Sequence, residues 1–175
     1  MTDAIFAICI AQKLDCLYEH YWGRTQVKLG RKRPQKKCPI CTRKADKIFN
    51  RVEVWSNERW RLTTTRYSQV KGLSYLEPKK HVPFLSDLDG KEAKEFGVIL
   101  SNVTKAIKIA TGAQLVYYYV FGDTIPHLHV HIAPHFPGDV LSENITKETF
   151  DEGTLSTMKP EKVSKLVRRL QELLR

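Results

Sequence analysis

Three histidines alternate with apolar residues in the segment His127-Leu128-His129-Val130-His131-Ile132-Ala133. In an extended strand, successive side chains point to opposite faces. The three imidazoles then line one face, about 6.5–7 Å apart along it. Leu128, Val130 and Ile132 turn the other way, into a core. Pro126 before the segment and Pro134 after it bound a short strand. On an exposed ridge, apolar residues would pack better than three imidazoles. The row makes sense where phosphorus chemistry or a metal ion needs several nitrogens at once.

The chain's 175 residues suit one domain with appended arms. A hydrophobic content of 42% can build an ordinary core, and the formal net charge of +10 attracts polyanions. Nucleotides, nucleic acids, polyphosphates and acidic membranes all qualify, and charge does not choose among them. No apolar run approaches a membrane span. Residues 4–11 are apolar, but Asp3 precedes them and Gln12, Lys13 and Asp15 follow without a small-residue cleavage site. They read as a helix rather than a signal peptide. Of the four cysteines, Cys9, Cys16, Cys38 and Cys41, the last two form C-x-x-C. Without a secretion signal that pair reads as metal or redox chemistry, not a disulfide framework, and the expected location is cytoplasmic. Cys9 and Cys16 read as buried apolar residues of the first helix.

Residues 4–22 read as a helix and 24–37 as a basic connector, either a solvated linker or a clamp for an anion. Residues 48–55 and 60–65 read as strands joined by a turn at 56–58, and 73–76 as a third strand. Asp87 or Asp89 caps a helix whose stripe is Ala93, Phe96, Leu100, Val103, Ile107 and Ala110, with Gly112 as its stop. Residues 115–121 form a strand that Gly122-Asp123 turns back antiparallel to the histidines. Residues 142–157 are polar and unpatterned. From Pro160 an amphipathic helix follows, with Val163, Leu166, Val167, Leu170, Leu173 and Leu174 on one face.

The alternating histidines resemble the signature of the histidine triad (HIT) superfamily. The likeness extends to Gly72-Leu-Ser-Tyr-Leu-Glu-Pro-Lys-Lys-His81 and to Cys38-x-x-Cys41, and it covers roughly residues 38 to 139. It implies an α+β fold: a five-stranded antiparallel sheet with packed helices, often paired as a homodimer. The expected organisation is an N-terminal helical arm and connector (1–37), the HIT domain with a metal knuckle (38–140), and an extension carrying the C-terminal helix (141–175). The ending around His131 and His135 is most similar to the Fhit-like branch.

In zinc-bearing relatives the resemblance implies a structural zinc on Cys38, Cys41, His81 and His127. It assigns nucleophilic attack on the α-phosphorus of an AMP-containing nucleotide to His129, and contact with a phosphate oxygen or the leaving group to His131. Thr124 matches a phosphate-contacting Ser or Thr. Gly122 allows close backbone approach, Thr65 falls where an acid or amide binds ribose, and His135 falls where a basic residue meets a distal phosphate. An Asn or Gln usual before the triad aligns with Val120, which cannot replace it. The leading expectation is a nucleotide hydrolase or transferase acting on dinucleoside polyphosphates or nucleoside phosphoramidates. The competing classes are a nucleic-acid-associated protein, either an end deadenylase or a binding module, and an AMP-binding sensor with little turnover.

Overall fold

A computed structural model describes residues 37–66, 68, 70–122, 124–138 and 160–175. The expected helix at 4–22, nearly all of the basic connector and the polar stretch 142–157 lie outside the described residues. Five antiparallel strands form one sheet: β1 Arg51–Ser56, β2 Trp60–Thr65, β3 Ser74–Pro78, β4 Leu115–Val120 and β5 Val130–His135, in the order β1-β2-β3-β5-β4. Among the described residues, three α-helices accompany them: α1 Lys44–Ile48, α2 Gly90–Thr111 and α3 Pro160–Leu173. The expected α+β architecture is therefore present.

The period of two decides the layers. Leu62, Leu76, Val130 and Ile132 project from neighbouring strands into one core with Ile99, Val103 and Ile107 of α2 and Leu166 and Leu170 of α3. Trp60 of β2 stacks on Phe96 of α2 at 5.5 Å. The C-terminal helix therefore contributes to the same core as the sheet, while Lys162, Lys165, Arg168 and Arg169 face outward. The opposite sheet face carries Tyr75, His131, Ala133, Tyr117 and Tyr119, and the triad opens on it.

Several boundaries differ from the sequence reading. The first strand begins at Arg51, not residue 48, because α1 occupies 44–48 and Asn50 turns at φ 46°. The histidine strand begins at Val130. Leu128 N–H bonds the Val82 carbonyl at 2.7 Å, so the chain at His127 and His129 leans on the segment after β3 instead of entering the ladder. Pro134 lies inside β5 and does not end it. The β3 ladder stops at Ser74↔Ile132, so Pro134 sits past the last pair on that side.

Gly72 precedes β3 at φ +83°, and a β-carbon there would lie 2.8 Å from Thr111 Cγ2. Thr111 has little room to yield, since its hydroxyl bonds the Ile107 carbonyl. Gly72→Ala is expected to cost about 2–4 kcal/mol from left-handed strain and overpacking together. A lowered urea midpoint at unchanged slope would confirm it, and an unchanged midpoint would contradict it.

Candidate functional site

The Cys38-Pro39-Ile40-Cys41 knuckle is closed by its own backbone. Thr42 N–H and its hydroxyl both reach the Cys38 carbonyl, at 3.0 and 2.8 Å, and Ala45 N–H reaches Pro39 O at 3.0 Å, which starts α1. Cys38, Ile40 and Ala45 bury themselves against Phe49 and Ile125. Ile125 belongs to the loop before the triad, so a small satellite core seats the thiols beside His127.

Four ligand atoms converge there. His127 Nδ1 lies 3.4 Å from Cys38 Sγ, 3.3 Å from Cys41 Sγ and 3.3 Å from His81 Nδ1. Cys41 Sγ lies 3.4 Å from His81 Nδ1, and the whole set falls within 4.8 Å. A tetrahedral ion bonded at about 2.3 Å to sulfur and about 2.05 Å to nitrogen sets S···N near 3.6 Å and N···N near 3.3 Å. Those four separations match that geometry within a few tenths of an ångström. His127 Nε2–H donates to Pro78 O at 2.9 Å, which leaves Nδ1 as the free lone pair. These residues could hold a metal ion.

Burial tunes the same set. His127 is held down at about 4, first by desolvation and then by the neighbouring His81 and His129, with the Pro78 bond opposing. Desolvation also lowers His81. Both imidazoles are thus neutral at physiological pH, as ligation requires. Burial, followed by the hydrogen bond and charge of Cys38, pushes the Cys41 thiol up to about 12. A nearby cation is what would favour its thiolate.

The other two histidines are also buried, in contrast to the exposed ridge that the sequence suggests. His129 Nδ1–H donates to the His127 carbonyl at 2.6 Å, so its lone pair sits on Nε2. The His131 ring lies 5.1 Å from that of His129. Desolvation, then the charges of His129 and Arg51, lower His131 to about 3. The unfolded chain takes up this proton near pH 6.5, well before the folded one does. Stability from His131 is therefore intact above pH 6.5 and falls as pH drops toward 3. The loss is about 2–3 kcal/mol by pH 4.5. Thermal unfolding at pH 7 and 4.5 should show a smaller acid shift for His131→Gln than for wild type, and equal shifts would contradict this.

The remaining expected residues are spread more widely. Thr65 ends β2, buried, with its hydroxyl on Phe49 O at 3.0 Å. The neighbour that closely approaches Gly122 is the Phe84 ring, 3.2 Å from where a β-carbon would be. Thr124 is exposed in the loop before the triad. His135 lies at the far end of β5, its ring 5.2 Å from Tyr117. Val120 pairs with Val130 on the helix side of the sheet. The side chain that meets the triad from this strand's end is Phe121, 5.1 Å from His131, and it carries no amide either. Sequence reading missed a charge group, the buried Arg51, Arg61 and Glu77 side chains with the half-buried Asp46. Its one signal was charges alternating along strands assigned to a core.

A five-stranded sheet with a buried histidine pair, next to a Cys-Cys-His-His cluster, defines a histidine triad protein. Residues 50–138 match the HIT domain, and the chain belongs to that family, one of nucleotide hydrolases and transferases. Solved structures share the fold. A hypothetical histidine triad nucleotide-binding protein of Sulfolobus tokodaii superposes with a TM-score of 0.60 at 22% identity, over 78% of this chain and 91% of that one. A zinc-bound histidine triad family protein of Mycobacterium smegmatis gives 0.58 at 17%, over 81% and 95%. A diadenosine triphosphate hydrolase of Plasmodium falciparum gives 0.52 at 13%, over 69% and 74%. No curated protein matches the sequence. Among the described residues, no helix is long and apolar enough to cross a membrane.

Proposed function

We propose that the protein transfers a nucleotidyl group through His129, from dinucleoside polyphosphates or nucleoside phosphoramidates to water or another acceptor. The observation that carries this reading is the 2.6 Å bond from His129 Nδ1 to the His127 carbonyl, which presents Nε2 as a nucleophile. Nε2 attacks the α-phosphorus, and the bond to the leaving group breaks with its electron pair going to that group. The acceptor then attacks the same phosphorus and frees His129. His131, neutral and alongside, hydrogen-bonds a phosphate oxygen or the leaving atom. Thr124 and the Gly122 backbone serve the phosphate, Thr65 the ribose and His135 a distal phosphate.

Zinc is the metal that Cys38, Cys41, His81 and His127 suit best, with two thiolates and two imidazoles in a closed set. It would be structural, holding His127 in place. A homodimer is expected through the edge strand β4, where Leu115, Tyr118 and Val120 are exposed. Thiol ligands suit a reducing, cytoplasmic setting.

The test is a panel of diadenosine polyphosphates, adenosine phosphoramidate and 5′-adenylated DNA, with mass spectrometry of rapidly quenched protein. Nucleotide mass on His129 with a small substrate supports the reading. Turnover of adenylated DNA alone would favour an end deadenylase, and AMP binding with no adduct would favour a sensor.

A further inference from the structure

His131 is flanked by rings on two sides. Tyr75, its register partner on β3, stands 4.8 Å away at 71°. Phe121 stands 5.1 Å away at 87°. Perpendicular contacts of this kind constrain ring orientation. Behind Tyr75 lies the Arg51 guanidinium, 3.7 Å from the ring centre. Arg51 is not a surface cation. Its side chain is 4% exposed, with Nη1 3.0 Å from Glu77 Oε1.

Glu77, fully buried, is also ion-paired with Arg61 at 2.7 Å. Arg61 in turn grips both carboxylate oxygens of Asp46, at 2.7 and 3.2 Å. Asp46 lies on α1, directly after the cysteine knuckle. Burial raises the Glu77 carboxyl above its ordinary range, and Arg51 and Arg61 oppose that rise. A line of three buried charges ending on a half-buried fourth, Asp46, is a poor source of net stability, because desolvation offsets attraction and packed apolar residues serve as well. What it does supply is a fixed place for one planar cation, 3.7 Å over the Tyr75 ring and 5.1 Å from that of Phe49.

We propose that Arg51 and Tyr75 are positioning residues: the guanidinium, tied through Glu77 and Arg61 to Asp46, fixes the Tyr75 ring, and Tyr75 with Phe121 sets the plane of His131 toward the leaving group. This rests on the reading of His131 as the imidazole that meets the departing atom. The clamp then matters in proportion to how much help the leaving group needs. A good leaving group departs unaided, whereas a poor one needs a correctly aimed hydrogen bond.

The experiment uses aryl esters of AMP whose phenols span a range of acidity. Tyr75→Leu should lose about 10–100-fold in kcat on the least acidic phenol and less than about threefold on p-nitrophenol, with KM little changed. Tyr75→Phe, which keeps the ring, should restore the wild-type slope. Arg51→Met combined with Glu77→Gln should steepen the slope in the same sense but less. Phe121→Leu probes the clamp from its other side and keeps the test decisive if Tyr75→Leu does not fold. A uniform loss across the series, or no loss, overturns the positioning role. A wild type that forms no nucleotidyl adduct with the p-nitrophenyl ester instead overturns the assignment of His129, and the positioning role with it.

Discussion

A His129→Asn variant is expected to lose turnover by on the order of 10³-fold or more and to form no nucleotidyl adduct, while folding as wild type does. The choice of asparagine matters. His129 is buried and its Nδ1–H satisfies the His127 carbonyl. Alanine would leave that carbonyl without its donor, at about 1–3 kcal/mol, and would open a void beside His131. Asparagine places an amide N–H near the position of Nδ1 but has no basic lone pair where Nε2 was. Loss of activity would then report the missing nucleophile and not a relaxed loop. Steady-state hydrolysis of a diadenosine polyphosphate and intact-protein mass spectrometry check it. Retention of more than about a tenth of wild-type kcat would remove the covalent route.

The parts of this site legible in the sequence are those encoded by short spacing. A C-x-x-C pair and a period-two row of histidines constrain geometry over a few residues, so the two thiols and the His129–His131 pair were readable without a partner strand. His81 and His127 joined the knuckle through resemblance, since 46 residues separate the two imidazoles whose Nδ1 atoms lie 3.3 Å apart. The ion line was not readable for a related reason. Arg51 and Glu77 are 26 residues apart and Arg61 and Asp46 are 15 apart, and nothing local marks which charge meets which. Arg61, Thr63 and Thr65 share one face of β2 by the period of two, but period alone does not say that the face is buried. Val120 shares the core-side face with Val130, so from this strand's end it is the next residue, Phe121, that reaches His131. The burial of all three histidines was also missed, because it depends on groups distant in sequence: Tyr75 and Phe121 cover His131, and the cysteine knuckle with His81 encloses His127.

Metal removal should affect catalysis as well as stability. The His127 carbonyl fixes the nucleophile's tautomer, and the His127 ring points into the Cys38, Cys41 and His81 cluster. One residue therefore serves both sites, with the ring for the metal and the backbone for His129. Purified protein is expected to hold about one zinc per chain, and Cys38→Ser to lose it. A site filled to about a thousandfold above its dissociation constant contributes about 4 kcal/mol to folding, which is about 10 °C in melting temperature for a chain of this size. The remaining core of β-strands, α2 and α3 is independent of the knuckle, so the variant should fold at lower temperature. In that folded state His127 loses its anchor while Pro78 still holds Nε2 at 2.9 Å. kcat should fall by about 10-fold with KM nearly unchanged, because the misplacement affects the attacking imidazole more than the bound nucleotide. Metal analysis, calorimetry and kinetics on Cys38→Ser below its melting point separate the two effects. A variant that keeps its zinc would refute the ligand set, and one that loses zinc but keeps full kcat would show that the Pro78 bond alone holds His127 in register.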